Sequence, residues 1–425
     1  MTQRNFSPRD AITKALKPSV AETNKTALNL KALISPSVGN VLRIGFVGVV
    51  LLGAGEVYSR FGSSTRPDAA AVKKEQDLLA VVSECSKAIE QDPTSAAAHY
   101  KRGSALQELG KHELAVADYD KVIELDPVFP QAYFSRGRSL HELKRFESAV
   151  SDYTKSIELT PEFAMAYVGR GCAIQALGKK GKEKEVGDDF RKATSLAPTS
   201  AEADVSLGRW YLSDGGPTRC KDAKDCFDRA LELQPRYTEA YLNRARANIG
   251  LEKHHEAVSD CCKVLSLDPK HAAAYFERGE AYKKLKLIDE ALADYERCIK
   301  LNPAYAAAYM MLGFIAHEAG KHSEAMKSYL KWSELEPENY NAHYNLGRSL
   351  QKLKRYEEAV EASSRAIELN PKDSDPYFLR GYCLGELKRH VEAVADYNKG
   401  LEFSDNSQAR KNREIMLQEI AKKVK

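Results

Sequence analysis

Small and aromatic side chains recur along most of this chain with one period. Counted from Ala96 as position 1 of a unit, glycine is frequent at position 8, alanine at position 20, and aromatic residues at positions 4 and 24. Spacings of three, four and seven residues place such side chains on one face of a helix. Because small residues let two helices approach closely and aromatic side chains occupy the gaps beside them, each unit predicts a packed helix pair.

Nine prolines mark the ends of the helical runs, of which AVADYDKVIELDP is an example. Successive prolines are 34 residues apart, except for two spacings of 37. They are Pro93, Pro127, Pro161, Pro198, Pro235, Pro269, Pro303, Pro337 and Pro371. Proline has no amide hydrogen for a helix interior, so it ends one helix and lets the next begin nearby. The third and fourth units hold three extra residues each, which we expect in the turn between their helices.

The period and its residues resemble the tetratricopeptide repeat, a helix–turn–helix unit of 34 residues. The resemblance covers 96–407 as nine repeats, at 96–129, 130–163, 164–200, 201–237, 238–271, 272–305, 306–339, 340–373 and 374–407. It implies an all-α fold, a right-handed superhelical α-solenoid of nine helix pairs. We expect a linker and a degenerate first helix (70–91) in residues 59–95, and a capping helix at 408–425.

Arginine and aspartate occur together at two positions of the repeat. Position 7, which is usually leucine in this family, is Arg102, Arg136, Arg170, Arg244, Arg278 and Arg380 in six repeats. Position 23 of the same six repeats is Asp118, Asp152, Asp189, Asp260, Asp294 and Asp396. The other three repeats have Leu207, Leu312 and Leu346 at position 7, and Cys226, Ser328 and Ala362 at position 23. This agreement predicts a bidentate ion pair between the two helices. A ligand-binding row is the alternative, but a ligand site would not need both residues to disappear together.

The resemblance also implies a binding surface, because the first helices of this family line a concave groove through positions that include 5 and 9. Position 5 forms a continuous apolar or aromatic row, and position 9 adds arginines. The candidate partner-binding residues are Tyr100, Phe134, Arg138, Arg209, Leu242, Arg246, Phe276, Met310, Tyr344, Arg348 and Phe378. Such a surface suits an extended or helical peptide with apolar anchors and some acidic character. Half-buried packing is the alternative role of the position-5 residues.

Several other kinds of site are not expected. Some relatives bind acidic chaperone tails through a carboxylate clamp, but only Asn243 and Asn345 occupy its central asparagine position, and their flanking residues do not complete it. The chain has no Gly-rich phosphate loop, HExxH or nucleophile motif, so we expect no enzymatic activity, no cofactor and no metal. Eight cysteines without a CxxC pair are expected to be reduced thiols.

The basic charge of the chain is confined to its N-terminal segment. The net charge is +4, but residues 1–55 alone carry +5, so the rest of the chain is nearly neutral. A near-neutral array argues against nucleic-acid binding, for which a basic stripe is expected. Residues 1–40 are basic and contain many serine and threonine residues, which is typical of an organelle targeting sequence or of a flexible tail.

An apolar run without charge lies at 44–55, and it predicts a single transmembrane helix at 41–58. A spanning helix needs about 20 apolar residues, which the run reaches only when Arg43 and Glu56 at its ends are included. A cleaved signal peptide and a buried or interfacial helix are the alternatives.

We therefore expect a non-enzymatic scaffold that binds peptide segments of other proteins in the groove, as an adaptor, receptor or assembly factor. The 41–58 segment predicts a tether in a membrane, and the basic 1–40 segment indicates a mitochondrial or plastid membrane. The alternative is a soluble, cytoplasmic co-chaperone or complex-assembly scaffold without a membrane anchor.

Overall fold

The structure of the chain is a computed structural model, and it describes residues 69–178, 181–213 and 216–424. This part of the chain forms twenty α-helices and no β-strand. The all-α solenoid predicted from the repeat period is therefore confirmed. The predictions for residues 1–40 and 41–58, and for the beginning of the 59–95 linker, lie outside the described residues. None of the described helices combines the length and the apolar character that a membrane span requires.

The helices follow the proline period. Helix α1 is Ala69–Gln91, where the sequence predicts a helix at 70–91. Nine helix pairs follow: α2 (Ala96–Glu108) with α3 (His112–Leu125), α4 (Pro130–Glu142) with α5 (Phe146–Leu159), α6 (Ala164–Ala176) with α7 (Glu183–Leu196), α8 (Ala201–Ser213) with α9 (Pro217–Leu233), α10 (Thr238–Gly250) with α11 (His254–Leu267), α12 (Ala272–Lys284) with α13 (Ile288–Leu301), α14 (Ala306–Glu318) with α15 (His322–Leu335), α16 (Tyr340–Lys352) with α17 (Tyr356–Leu369), and α18 (Asp375–Glu386) with α19 (His390–Phe403). The last helix, α20, is Ser407–Val424.

The three extra residues of repeats 3 and 4 are accommodated in two different ways. In repeat 3 the connection from Ala176 to Glu183 is longer, as predicted. In repeat 4 the prediction is wrong, because α8 ends at Ser213 and α9 begins at Pro217. Helix α9 has 17 residues instead of 14, so the insertion adds nearly one helical turn. Pro217 can begin the lengthened helix because amides in the first turn have no hydrogen-bond partner within the helix, so the missing amide hydrogen of proline costs nothing there.

The helices form two layers. Each first helix packs against the second helix of its own repeat, and each second helix packs against the first helix of the next repeat. First helices of neighbouring repeats also contact each other, for example α4 with α6 and α6 with α8, whereas the described second helices make no comparable contact among themselves. The first helices are thus the more closely spaced layer, as expected for the inner side of a solenoid. Helix α20 packs on α19 and α18.

The two helices of a repeat approach most closely where an aromatic ring of position 24 lies on the glycine of position 8. A Cβ atom added to Gly137 would lie 3.0 Å from the Tyr153 ring, and one added to Gly313 would lie 2.6 Å from the Tyr329 ring. Repeat 5 shows the complementary choice, because position 24 is the smaller Cys261 and position 8 is a buried alanine. Glycine is needed at position 8 wherever a large ring occupies position 24.

The turn between the paired helices places position 15 in the left-handed region of backbone space. Eight repeats show a positive φ there, at Gly110, Lys144, Gly178, Glu252, Lys286, Gly320, Lys354 and Lys388. The amide of the next residue then bonds to a carbonyl five residues earlier, as from Arg145 to Leu140 at 2.8 Å. This turn recurs with and without glycine, although glycine adopts the conformation at lower cost.

Candidate protein-interaction surface

The structure brings all six arginine–aspartate combinations together. In each, the guanidinium donates through Nε and Nη2 to both carboxylate oxygens, and in repeat 2 the distances from Arg136 to Asp152 are 2.8 and 2.6 Å. The other five are Arg102 with Asp118, Arg170 with Asp189, Arg244 with Asp260, Arg278 with Asp294, and Arg380 with Asp396. Burial raises the pKa of Asp152, whereas the hydrogen bond from Arg136 acts in the opposite direction. The aspartates are buried, so the pairs lie between the helices and not on an open surface.

Five of the six arginines, all except Arg170, also bond to the helix that precedes their repeat, which the sequence reasoning missed. The third guanidinium nitrogen, Nη1 of Arg136, donates to Asp120 of the preceding second helix at 2.7 Å. Arg244 reaches Asp228 at 2.7 Å in the same way, and Arg380 reaches a serine hydroxyl. The signal is a polar residue at position 25, sixteen residues before the arginine. The arginine therefore connects three helices of two repeats.

The position-5 row is not continuous. Tyr100, Phe134, Phe276, Met310, Tyr344 and Phe378 are half-buried. Leu242 is only 7% exposed and packs with Val264 and Ala274, so it is part of the core and not of the exposed surface. The valines at position 5 of repeats 3 and 4 are also buried. Leucine and valine are short enough here to be covered by neighbouring side chains, so the position-5 residues of repeats 3, 4 and 5 belong to the core.

Three of the position-5 aromatic residues are partly committed to packing. The Phe134 ring lies between the rings of Tyr153 and Phe163, at centroid distances of 5.8 and 4.8 Å. Tyr100 and Phe276 have equivalent neighbours from their own second helix and from the residue before the next repeat. Beside Phe134 lies an open recess of about 360 Å³, whose other lining residues include Arg138 and Gly169. Glycine is required there because a Cβ atom would lie 2.5 Å from the Tyr153 ring.

The position-9 arginines fall into two classes. In the central repeats they are neutralised by the next repeat: Arg209 binds Glu239 at 3.0 Å, and Arg246 binds Glu277 at 2.7 Å. Burial raises the pKa of Glu277, while Arg246 lowers it.

Arg138 and Arg348 form the second class. They lie 6.0 and 5.9 Å from the rings of Phe134 and Tyr344, and within the described residues neither makes an ion pair. Arg348 donates a hydrogen bond to the neutral amide oxygen of Asn345, at 3.4 Å. These two arginines keep an unneutralised charge on the first-helix face.

The most exposed aromatic residue of the first helices, Phe314, was missed at the sequence level. Phe314 occupies position 9 of repeat 7, where four other repeats have arginine, and it is 52% exposed. On α14 it shares a face with Met310, four residues before it, and with His317, three residues after it. The position-9 column of the sequence contains this phenylalanine, so a search for apolar residues as well as arginines would have found it.

Comparison with known families assigns the repeat. Family models described as tetratricopeptide repeat match the segments 96–129, 130–163, 238–271, 272–305, 306–339, 340–373 and 364–395, which together are more than half of the chain. This chain belongs to the tetratricopeptide repeat family. Repeats 3 and 4, which hold the extra residues, lie outside the matched segments. Tetratricopeptide repeats generally bind other proteins or peptides.

Solved structures of other tetratricopeptide repeat proteins resemble the chain. The APC/C hetero-tetramer Cut9–Hcn1 is 16% identical, with 76% of each chain covered and a TM-score of 0.45. YrrB, described as a TPR protein with an unusual peptide-binding site, is 26% identical, with 45% of this chain and 95% of YrrB covered and a TM-score of 0.36. The TPR domain of P58(IPK) is 20% identical, with 77% of this chain and 99% of that chain covered and a TM-score of 0.26. No curated protein matches this chain.

The described tetratricopeptide repeats do not gather a metal site. No group of three or more histidine, cysteine, aspartate or glutamate side chains in the described residues could hold a metal ion. The eight cysteines form no disulfide. Burial raises the pKa of Cys172 and Cys226 to about 11, and of Cys298 and Cys383 to about 12. Because the thiolate is the reactive form, these four thiols are unreactive at neutral pH.

Proposed function

We propose that this chain is a non-enzymatic scaffold that binds segments of partner proteins on the face formed by its first helices. The observation that carries the proposal is the set of side chains left available on that face. Phe314 is exposed on it, and Arg138 and Arg348 have no acidic partner in the described residues. Aromatic and arginine side chains contribute most of the binding energy in protein interfaces, so this combination favours partner binding.

The six arginine–aspartate pairs have a different role in this proposal. We assign them to the architecture of the solenoid, because both polar ends of each aspartate are bonded to its arginine. The third bond, from Arg136 to Asp120, extends the same role to the interface between repeats. A partner would compete with three hydrogen bonds at such a site.

Crosslinking from opposite layers of the solenoid tests the proposal. A photoreactive p-benzoylphenylalanine is placed in the full chain at position 9 of three first helices, replacing Ser104, Arg209 or Tyr382. Matched sites on second helices replace Leu114 or Val391, which are 57% and 70% exposed. We expect protein adducts in cells from the first-helix sites and few from the second-helix sites. Equal adduct formation from the two layers would contradict the proposal.

The scaffold has two versions, which differ in the role of residues 41–58. The apolar sequence of that segment supports a membrane tether, whereas the described helices contribute no membrane span. Extraction of cell membranes with alkaline carbonate separates the two. Retention of the full chain in the pellet supports the tether, and its release supports the scaffold without an anchor. A variant that lacks 41–58 is the matched control.

A further inference from the structure

The first-helix face of repeats 7 and 8 combines an exposed apolar side chain with unneutralised basic charge. We infer that this part of the face binds an acidic peptide segment with a large apolar anchor, which lies on Phe314 while its carboxylates meet Arg348. The inference rests on the proposed function and narrows it to α14 and α16 and to one partner chemistry. We call the surface formed by Met310, Phe314, His317, Tyr344 and Arg348 the Phe314 surface.

The apolar half of the Phe314 surface favours a bulky anchor. Phe314 leaves half of its side chain in water, which is unusual for phenylalanine in the middle of a helix. Met310 and Tyr344 beside it are half-buried and pack against the core of repeats 7 and 8. Methionine adapts its shape to a bound side chain, and covering an exposed ring releases water from apolar surface. An aromatic or branched aliphatic residue of the partner meets both requirements.

The charged half of the Phe314 surface favours carboxylates. Arg348 lies over the Tyr344 ring, and within the described residues it bonds to a neutral amide and forms no ion pair, so its charge can attract an acid. Lys352 follows one helical turn later on α16. Burial lowers the pKa of His317, and the nearby charge of Arg348 lowers it further. Of the charged groups that act on His317, Arg348 and Lys352 are basic and Glu318 is acidic. Asp375 also lies at this surface, where it accepts a hydrogen bond from the Tyr344 hydroxyl.

Elsewhere on the first-helix face one half of this combination is absent: Arg138 has only the half-buried Phe134 beside it. Arg209 forms an ion pair with Glu239, and Arg246 forms one with Glu277. An acidic peptide would have to displace these internal ion pairs. The chain's own N-terminal segment is an unsuitable occupant, because residues 1–55 carry a net charge of +5 and would be repelled by Arg348. Charge complementarity therefore selects an acidic segment of another protein.

Selection of peptides on the full chain tests the inference. The chain is immobilised, and a displayed library of random peptides is enriched for binders. We expect the enriched peptides to carry aspartate or glutamate next to an aromatic or aliphatic residue. Dissociation constants of the labelled peptides are then measured by fluorescence anisotropy with four variants of the full chain, after circular dichroism has shown that each variant is folded.

Two of the variants change the Phe314 surface, and two are matched controls. Phe314→Ser and Arg348→Glu should each weaken binding about tenfold or more, because buried aromatic and arginine contacts dominate such interfaces. Val391→Ser removes an exposed apolar residue from a second helix, and Arg365→Glu reverses a partly exposed charge on another second helix. Both controls should retain affinity within about twofold, since their sites make no contact with the proposed peptide.

The possible outcomes separate this inference from the proposed function. Enrichment of basic or uncharged peptides, or equal losses in Arg365→Glu and Arg348→Glu, overturns the acidic-segment inference. So does a concentration-dependent dimer in light scattering that Phe314→Ser abolishes, because the occupant is then a second copy of this chain. Absence of any enriched peptide also overturns it. In each case the crosslinking from Ser104, Arg209 and Tyr382 positions still decides whether first helices bind proteins at all.

Discussion

In repeat 2 (130–163) the space between the paired helices holds the Arg136–Asp152 ion pair, whereas repeat 7 (306–339) holds Leu312 and Ser328 at the same two positions. The two repeats have equal length, and their helices begin and end at equivalent positions. Their comparison shows that the helix pair does not depend on which chemistry lies at positions 7 and 23. It depends on both positions changing together, because a single change leaves one buried group without its partner.

The surfaces of the two repeats vary independently of this interior choice. Repeat 2 exposes Arg138 over Phe134, and repeat 7 exposes Phe314. Repeat 8 has leucine at position 7, as repeat 7 does, but its Arg348 over Tyr344 resembles the surface of repeat 2. Positions 7 and 23 therefore stabilise the helix pair, while positions 5 and 9 can vary independently of it and are available for binding.

The next repeat decides whether a position-9 arginine stays available. Arg246 is neutralised because position 6 of repeat 6 is Glu277. The corresponding neighbour of Arg138 is Gly169, which has no side chain to bond. Near Arg348, Asp375 instead accepts a hydrogen bond from the Tyr344 hydroxyl at 3.4 Å. A surface arginine of a solenoid thus has to be judged together with the repeat that follows it.

The largest effect is expected when repeat 2 receives the leucine of repeat 7 at position 7 but keeps its own aspartate at position 23. Arg136→Leu leaves the Asp152 carboxylate buried without its guanidinium, and it also removes the bond to Asp120. We expect a loss of about 3–5 kcal/mol in the opening free energy of this repeat. Hydrogen exchange of the α4 and α5 amides in the full chain measures this opening free energy for repeat 2 alone. A local measurement is needed because the repeats of an array can open separately.

The complete repeat 7 combination is the control for that change. Arg136→Leu together with Asp152→Ser removes both charged groups and reproduces Leu312 with Ser328. Most of the lost protection should return, because no buried charge remains and the serine hydroxyl can donate to the carbonyl four residues earlier in its helix. If the single and the double variant lost the same protection, the pair would not be the cause.

The reverse change in repeat 7 should cost less. Leu312→Arg introduces a guanidinium opposite Ser328, without a carboxylate partner. Arginines at this position in other repeats keep 20–25% of the side chain exposed, so a lone arginine can reach water where a lone aspartate cannot. We expect a loss of about 2–3 kcal/mol, measured by hydrogen exchange of α14 and α15. Adding Ser328→Asp should recover it, and no recovery would contradict the equivalence of the two repeats.

The fold could be predicted from the sequence because its determinants are local and repeated. The prolines and the small residues recur in every part of the array, and each pattern of 34 residues specifies one helix pair. The error in repeat 4 has a physical reason. Three extra residues can lengthen either a turn or a helix, and only the helix that begins at Pro217 shows which one occurs. The N-terminal segment has no repeat with which to compare it.

The candidate site was less predictable because it depends on contacts between repeats. The pairing of Arg102 with Asp118 follows from their joint occurrence, but the third bond of Arg136 to Asp120 crosses a repeat boundary. Leu242 occupies the same repeat position as Phe134, yet its shorter side chain packs against Val264 in the core. The exposure of a side chain depends on the residues packed around it, and the sequence at equivalent repeat positions does not show those neighbours.

A smaller effect is expected where the two repeats differ in closeness of packing. Gly313→Ala places a Cβ atom 2.6 Å from the Tyr329 ring, so the ring or a helix has to move. The same change at Gly137 places it 3.0 Å from the Tyr153 ring. We expect Gly313→Ala to cost about 1–2 kcal/mol and Gly137→Ala clearly less, in parallel hydrogen-exchange measurements. An equal or inverted order would show that the closer approach in repeat 7 does not determine its packing.

The smallest effect is expected at the turn, where the repeats differ by one glycine. Lys144 of repeat 2 has a φ of 58°, and Gly320 of repeat 7 has a φ of 72° at the equivalent position. A side chain with a Cβ atom is strained in this region, and glycine is not. Lys144→Gly should therefore stabilise repeat 2 by up to about 1 kcal/mol, although the greater freedom of glycine in the unfolded chain reduces the gain. Gly320→Lys should destabilise repeat 7 by a similar amount. Because the two changes exchange the same pair of residues in opposite directions, effects of the same sign would mean that contacts of the lysine side chain outweigh the backbone conformation.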